Sequence, residues 1–228
     1  MQKLSIYSSA YTHQIKVAVL TFLMTLIPAS MVFVVVSLTT NIDLRELTRD
    51  ANAVFNISWY VGLFSNIGIL IWSVCAATCL FSYAILKQLQ ATKRYSAYLL
   101  YAGLFTTLLL TDDCFLFHEV VFPKYFHIPE KLVLMVYLIL ALMLLINFRR
   151  LILQTTEYLI LLFSLVCFAS SIILDIDILR LNLPDLPSTI IEDTFKLIGI
   201  TMWCTYFVRL CLQEVNNALM AKSARNEV

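Results

Sequence analysis

The sequence predicts an all-α integral membrane protein, a bundle of six transmembrane helices with both termini in the cytoplasm. Three observations lead there. Hydrophobic residues make up 61% of the chain and charged residues 14%, the mean hydropathy is +0.85, and the apolar residues gather into six runs of membrane length. That composition leaves too little polar surface for a soluble domain of 228 residues.

A helix crosses a hydrocarbon core of about 30 Å with about 20 mostly apolar residues. The first run, 17–38, contains Pro28-Ala29-Ser30, which looks like the end of a signal peptide, but the apolar residues continue from Met31 to Leu38. That length predicts a retained span. The second run is 57–86. The third, 97–121, opens after Arg94 and Tyr95 and closes on Asp112-Asp113-Cys114-Phe115-Leu116-Phe117-His118-Glu119. The fourth, 131–148, follows Pro129 and Glu130, a helix start with a carboxylate at the positive end of the dipole. The fifth is 153–175. The sixth, 190–212, follows Pro187, with Thr189 and Glu192 spaced as a capping box. Between the first two runs, Leu44, Leu47 and Val54 among charges predict a short interfacial helix over 43–54. No connection is long enough for a soluble domain, so residues 1–228 form a single membrane domain.

Orientation follows from Lys and Arg, which concentrate on the cytoplasmic side. Of the 16 basic residues, ten (Lys3, Lys16, Lys87, Lys93, Arg94, Arg149, Arg150, Arg209, Lys222 and Arg225) fall on one side and six on the other. The ten mark the cytoplasm, and the expected location is a bacterial inner membrane. Acids run the opposite way. Only Glu157, Glu214 and Glu227 of the 15 are cytoplasmic, leaving twelve on the outer side.

Several of those acids lie inside spans. Counting about 1.5 Å per residue from each helix entry puts Asp112 and Asp113 of the third span, Asp175 of the fifth, and Asp193 and Lys196 of the sixth at similar depth. Ionisable groups in hydrocarbon usually face a bundle interior or a water-filled cavity and mark ion paths, proton relays or catalytic sites. The expectation is therefore an acidic cavity in the outer half. On a continuous helix, Asp112 and Glu119 share a face and Asp113 and His118 are rotated away. Glu192 and Asp193 precede Lys196 by four and three residues, so the local reading is an ion pair within one helix.

Two chemistries fit this layer. In the first, Asp112, Asp113, Glu119, Asp175 and Asp193 bind a cation or proton, with Lys196 and Glu192 balancing charge, as in a channel, carrier or sensor. In the second, His118 or Glu119 is the general base of a membrane-embedded hydrolase or transferase acting on a lipid or lipid-linked substrate. A divalent metal enters this reading through Asp113, His118 and Glu119, although no His-Glu-x-x-His or Glu-x-x-His motif fixes such a site. A third role is that of a non-catalytic membrane subunit, whose polar layer specifies helix packing or docking.

Membrane lipids are the expected partners, together with a second copy of the chain or the other subunits of a complex. A net charge of +1 without a basic stripe excludes a nucleic-acid binder. The six cysteines, none in a Cys-x-x-Cys, read as small apolar residues rather than a redox centre.

Overall fold

The computed structural model describes residues 2–39, 51–175 and 185–226, except for the side chains at 2–13, 28, 37–39, 155, 175, 185–189 and 226. The chain divides into two units, Met1–Val61 and Gly62–Val228. The first holds α1 (Gln2–Thr39), whose stretch Gln14–Val36 is apolar enough to cross a membrane, and the single turn α2 (Ala51–Val54). Of the interfacial helix expected over 43–54, residues 43–50 lie outside the described residues.

The second unit is built from α3 (Leu63–Gln88), α4 (Lys93–Phe115), a π-helical turn (Phe117–Val121), α5 (Phe122–Phe126), α6 (Glu130–Thr155), α7 (Tyr158–Asp175) and α8 (Asp185–Asn226). Gly62 sits at φ +73 where the chain turns into α3, a backbone region that a residue with a Cβ enters only at a cost.

α8 packs against α7 and α3, α3 against α4, and α4 against α6. Six of the seven buried residues of α3 recur at alternating steps of four and three, Gly68, Trp72, Cys75, Cys79, Ser82 and Leu86, with Ala76 buried beside them. α8 shows the same rhythm through Ile200, Trp203, Phe207, Leu210 and Glu214. Such stripes let two helices interdigitate at a shallow crossing angle. Trp203 lies between Trp72, Phe105, Phe168 and Phe207, and its indole N–H donates to Thr106 Oγ1 at 3.0 Å. α7 and α8 approach closely at Gly199. A Cβ there would stand 2.9 Å from the Phe168 ring, and Ser164 Oγ donates to the Gly199 carbonyl at 2.8 Å.

The described residues contain four helices long and apolar enough to cross a membrane (Gln14–Val36, Leu63–Gln88, Glu130–Gln154 and Ile190–Arg225), or five if the bent pair Lys93–Phe115 and Phe117–Phe126 counts as one span. This corrects the continuous third helix expected over 97–121. α4 stops at Leu116, which adopts φ 52, ψ 44, and the chain bends by 59°. The fifth expected run also divides. α6 continues to Thr155, and the remaining apolar helix, Tyr158–Leu174, covers about 26 Å at 1.5 Å per residue, short of a typical core.

Glu157 therefore lies in the connection between α6 and α7, where the Arg209 guanidinium hydrogen-bonds both of its carboxylate oxygens. Those hydrogen bonds, reinforced by the guanidinium charge, hold the Glu157 carboxyl below its ordinary pKa. The capping box expected at Thr189 and Glu192 is also overturned. α8 begins at Asp185, so both residues lie within the helix. Pro129 and Glu130 do open α6, as the sequence indicates.

Candidate functional site

The break at Leu116 builds the site. α4 carries Asp112 and Asp113 about 29 Å from its first residue, Lys93, at 1.5 Å per residue. Past Leu116 the chain turns aside by 59°, and His118 is placed against Asp112 instead of continuing away from it. The His118 backbone N–H donates to Asp112 Oδ1 at 3.0 Å, and the same oxygen accepts from the Tyr137 hydroxyl of α6 at 2.8 Å. Asp112 Oδ2 is left for His118 Nδ1, in a short contact. Asp112 is 3% exposed, so its full set of partners is what allows a carboxylate to sit there.

The tautomer follows from this arrangement. Oδ2 of an ionised carboxylate can only accept, so Nδ1 carries a proton, while Nε2 holds a lone pair in the neutral ring and a second proton in the imidazolium. Nε2 lies 3.5 Å from Glu119 Oε1, an ion pair when the ring carries its second proton. The Glu119 side chain is 48% exposed, against 4% for Asp112. Tyr137, Asp112, His118 and Glu119 thus form a chain of polar contacts from a buried carboxylate to an accessible one.

Asp113 points into a second set of contacts. Its Oδ1 lies 3.0 Å from Lys196 Nζ of α8, and its Oδ2 accepts from the Trp72 indole N–H of α3 at 2.9 Å. The ion pair expected between Asp193 and Lys196 is replaced by this one. Asp193 is exposed, and the Lys196 ammonium reaches across to α4. Asp112 and Glu119 also act on that ammonium electrostatically. With His118 neutral, the layer holds Asp112, Asp113 and Glu119 against one ammonium, so a proton on Nε2 moves it towards neutrality.

The predicted residues therefore separate. Asp112, Asp113, His118, Glu119 and Lys196 come together, whereas Asp193 faces outward and Glu192 is half-buried. The backbone of Asp175 ends α7, and its side chain lies outside the described residues. Among the described residues, no group of three His, Cys, Asp or Glu side chains is placed to hold a metal, and Asp113 of the expected ligand set already has a partner on each oxygen. Tyr137 and Trp72 also belong to the site, and the sequence alone does not mark them. In sequence they are aromatics in apolar runs, where packing is the ordinary role, and no local spacing ties either to an acid on another helix.

A family model described as "Domain of unknown function (DUF8692)" matches residues 17–210. No curated protein and no solved structure matches the chain.

Proposed function

We propose that this chain, which belongs to the family described as "Domain of unknown function (DUF8692)", handles a proton at the Asp112–His118–Glu119 relay, as a carrier or sensor. The observation that carries the reading is the asymmetry of the His118 ring. Nδ1 is committed to a buried carboxylate, and Nε2 faces an accessible one. His118 is the group that takes up and releases the proton. Asp112 stabilises the imidazolium, Tyr137 and the His118 backbone N–H fix Asp112, and Glu119 exchanges protons with water. The Asp113–Lys196 pair, held by Trp72, sets the charge around the relay. Binding of a bare metal cation is less well supported, because its coordinating oxygens would first have to give up these donors.

The setting we propose is a bacterial inner membrane, crossed six times with both termini in the cytoplasm. The distribution of Lys and Arg supports that topology. The relay is then in the outer half.

Imidazole nitrogen NMR of the purified protein across pH 5 to 8, the range in which histidine changes charge, tests the reading. The His118 signal, assigned by its loss in His118→Gln, should titrate reversibly and should move in Glu119→Gln. A His118 signal unchanged throughout refutes proton handling. Flux into proteoliposomes after a pH jump then separates carrier from sensor.

A second reading has one observation behind it. A carboxylate that fixes the histidine tautomer is also the arrangement of a general base, here in a hydrolase or transferase acting on a lipid or lipid-linked substrate. Product release from a membrane lipid extract, abolished in His118→Gln, would favour it.

A further inference from the structure

At the opposite end of the second unit, a cavity of about 470 Å³ opens between the turn joining α3 to α4 and the last turns of α8. That volume is in the range of small-molecule sites, about 300–1,000 Å³. Leu86, Leu89 and Ala218 supply its apolar wall. Glu214 also lines it and is only 8% exposed. Its hydrogen-bond donor is the Asn217 amide, at 3.5 Å. Among the described residues no cation stands within ion-pair distance of it, so this carboxylate lacks the compensation that Asp112 and Asp113 each have. Lys222 and Arg225 line the mouth of the same cavity from the exposed end of α8. The cavity thus offers a sheltered negative group inside and two positive groups at the rim.

We propose that this cavity binds a compound carrying a protonated amine and a phosphate a few atoms apart, the amine donating to Glu214 and the phosphate lying against Lys222 and Arg225. A primary ammonium provides the charge and the N–H donors that the Glu214 carboxylate lacks, and a buried charge of this kind is stabilised only when paired and hydrogen-bonded. The phosphate is held at the rim, where guanidinium and ammonium groups are the usual recognition elements. The same chemistry occurs in a soluble phosphoethanolamine-type metabolite and in the headgroup of an aminophospholipid. This assignment does not depend on the proton relay.

Isothermal titration calorimetry of the full chain in detergent tests it, with phosphoethanolamine, dihexanoylphosphatidylethanolamine, phosphocholine and inorganic phosphate as probes. Phosphoethanolamine or its short-chain lipid should bind, and Glu214→Gln should weaken that binding about ten-fold or more while leaving inorganic phosphate unchanged. Lys222→Gln combined with Arg225→Gln should weaken the amine-bearing probes and inorganic phosphate alike. Saturation by the lipid alone identifies a headgroup site, and saturation by the soluble compound identifies a metabolite site. If Glu214→Gln does not fold, phosphocholine reads the amine contact in the parent protein. Its quaternary nitrogen has no N–H to donate, so it should bind distinctly more weakly. No binding of either amine-bearing probe, equal binding of phosphocholine and phosphoethanolamine, or variants that bind like the parent would overturn the proposal.

Discussion

Replacing Lys196 with methionine keeps most of the apolar stem and removes the ammonium 3.0 Å from Asp113. Asp113 would then keep Trp72 as its donor and lose its counter-charge. Removing one partner of a fully buried pair costs about 3 to 5 kcal/mol, and exposed pairs contribute about 0.2 to 1 kcal/mol. The Asp113 side chain is 13% exposed and that of Lys196 37%, so this pair lies between those limits. An expected loss of about 2 kcal/mol follows. For a chain of 228 residues that corresponds to a fall in Tm of about 4 to 8 °C. Thermal unfolding in detergent, followed by circular dichroism, measures it. Asp113→Asn added to Lys196→Met should cost less than the two separate losses combined, because the double variant has no stranded charge. Asp193→Asn should simply add to Lys196→Met, within about 0.5 kcal/mol. Unchanged melting of Lys196→Met, or strict additivity with Asp113→Asn, would refute the cross-helix pair. Coupling to Asp193 instead would restore the local pair that the spacing suggests.

Two further outcomes are expected. Because the pairing with Arg209 depresses the folded-state pKa of Glu157, its contribution to stability is present above the unfolded value, about 4.3, and is lost as pH falls through the folded one. The stability gap between parent and Glu157→Gln should therefore be visible at pH 7 and close on acidification below about pH 5, and a gap that widens in acid contradicts the assignment. At Leu116, 42% exposed and left-handed, a β-branched residue is harder to accommodate, so Leu116→Ile should lower stability by about 1 kcal/mol. Leu116→Gly should melt at or above that variant's temperature, and the reverse order would mean that backbone conformation is not the limiting factor.

Apolar run length made most helices of the second unit legible, since burying or spanning an apolar stretch demands a helix wherever it lies. Their ends were less so. α8 extends well beyond the expected 190–212 because its last turns, with Gln213, Asn216 and Asn217, are polar enough to end a hydropathic run without ending a helix. Depth arithmetic brought Asp112, Asp113 and Lys196 to one layer, because axial position is a matter of counting. Which side chains then meet depends on azimuth and on breaks. Leu116 is where the reading failed: left-handed turns usually announce themselves with glycine or asparagine, and a leucine gives no such sign. Without that turn His118 stays rotated away from Asp112, and the relay cannot be inferred. The pairing of Lys196 was missed for a related reason. Asp193 is the near neighbour in sequence, and nothing local reveals that the ammonium instead crosses to another helix.

α8 runs for 42 residues without interruption, about 63 Å at 1.5 Å per residue and roughly twice the thickness of a hydrocarbon core. Lys196 and Glu214 lie on it 18 residues apart, which is five complete turns at 3.6 residues per turn. They therefore share one azimuth, about 27 Å apart along a single shaft. A helix resists twisting between its ends, so turning this shaft enough to swing Lys196 away from Asp113 swings Glu214 through the same angle inside its cavity. The Asp113–Lys196 contact and the Glu214 wall of the far cavity therefore both depend on a single azimuthal setting of α8.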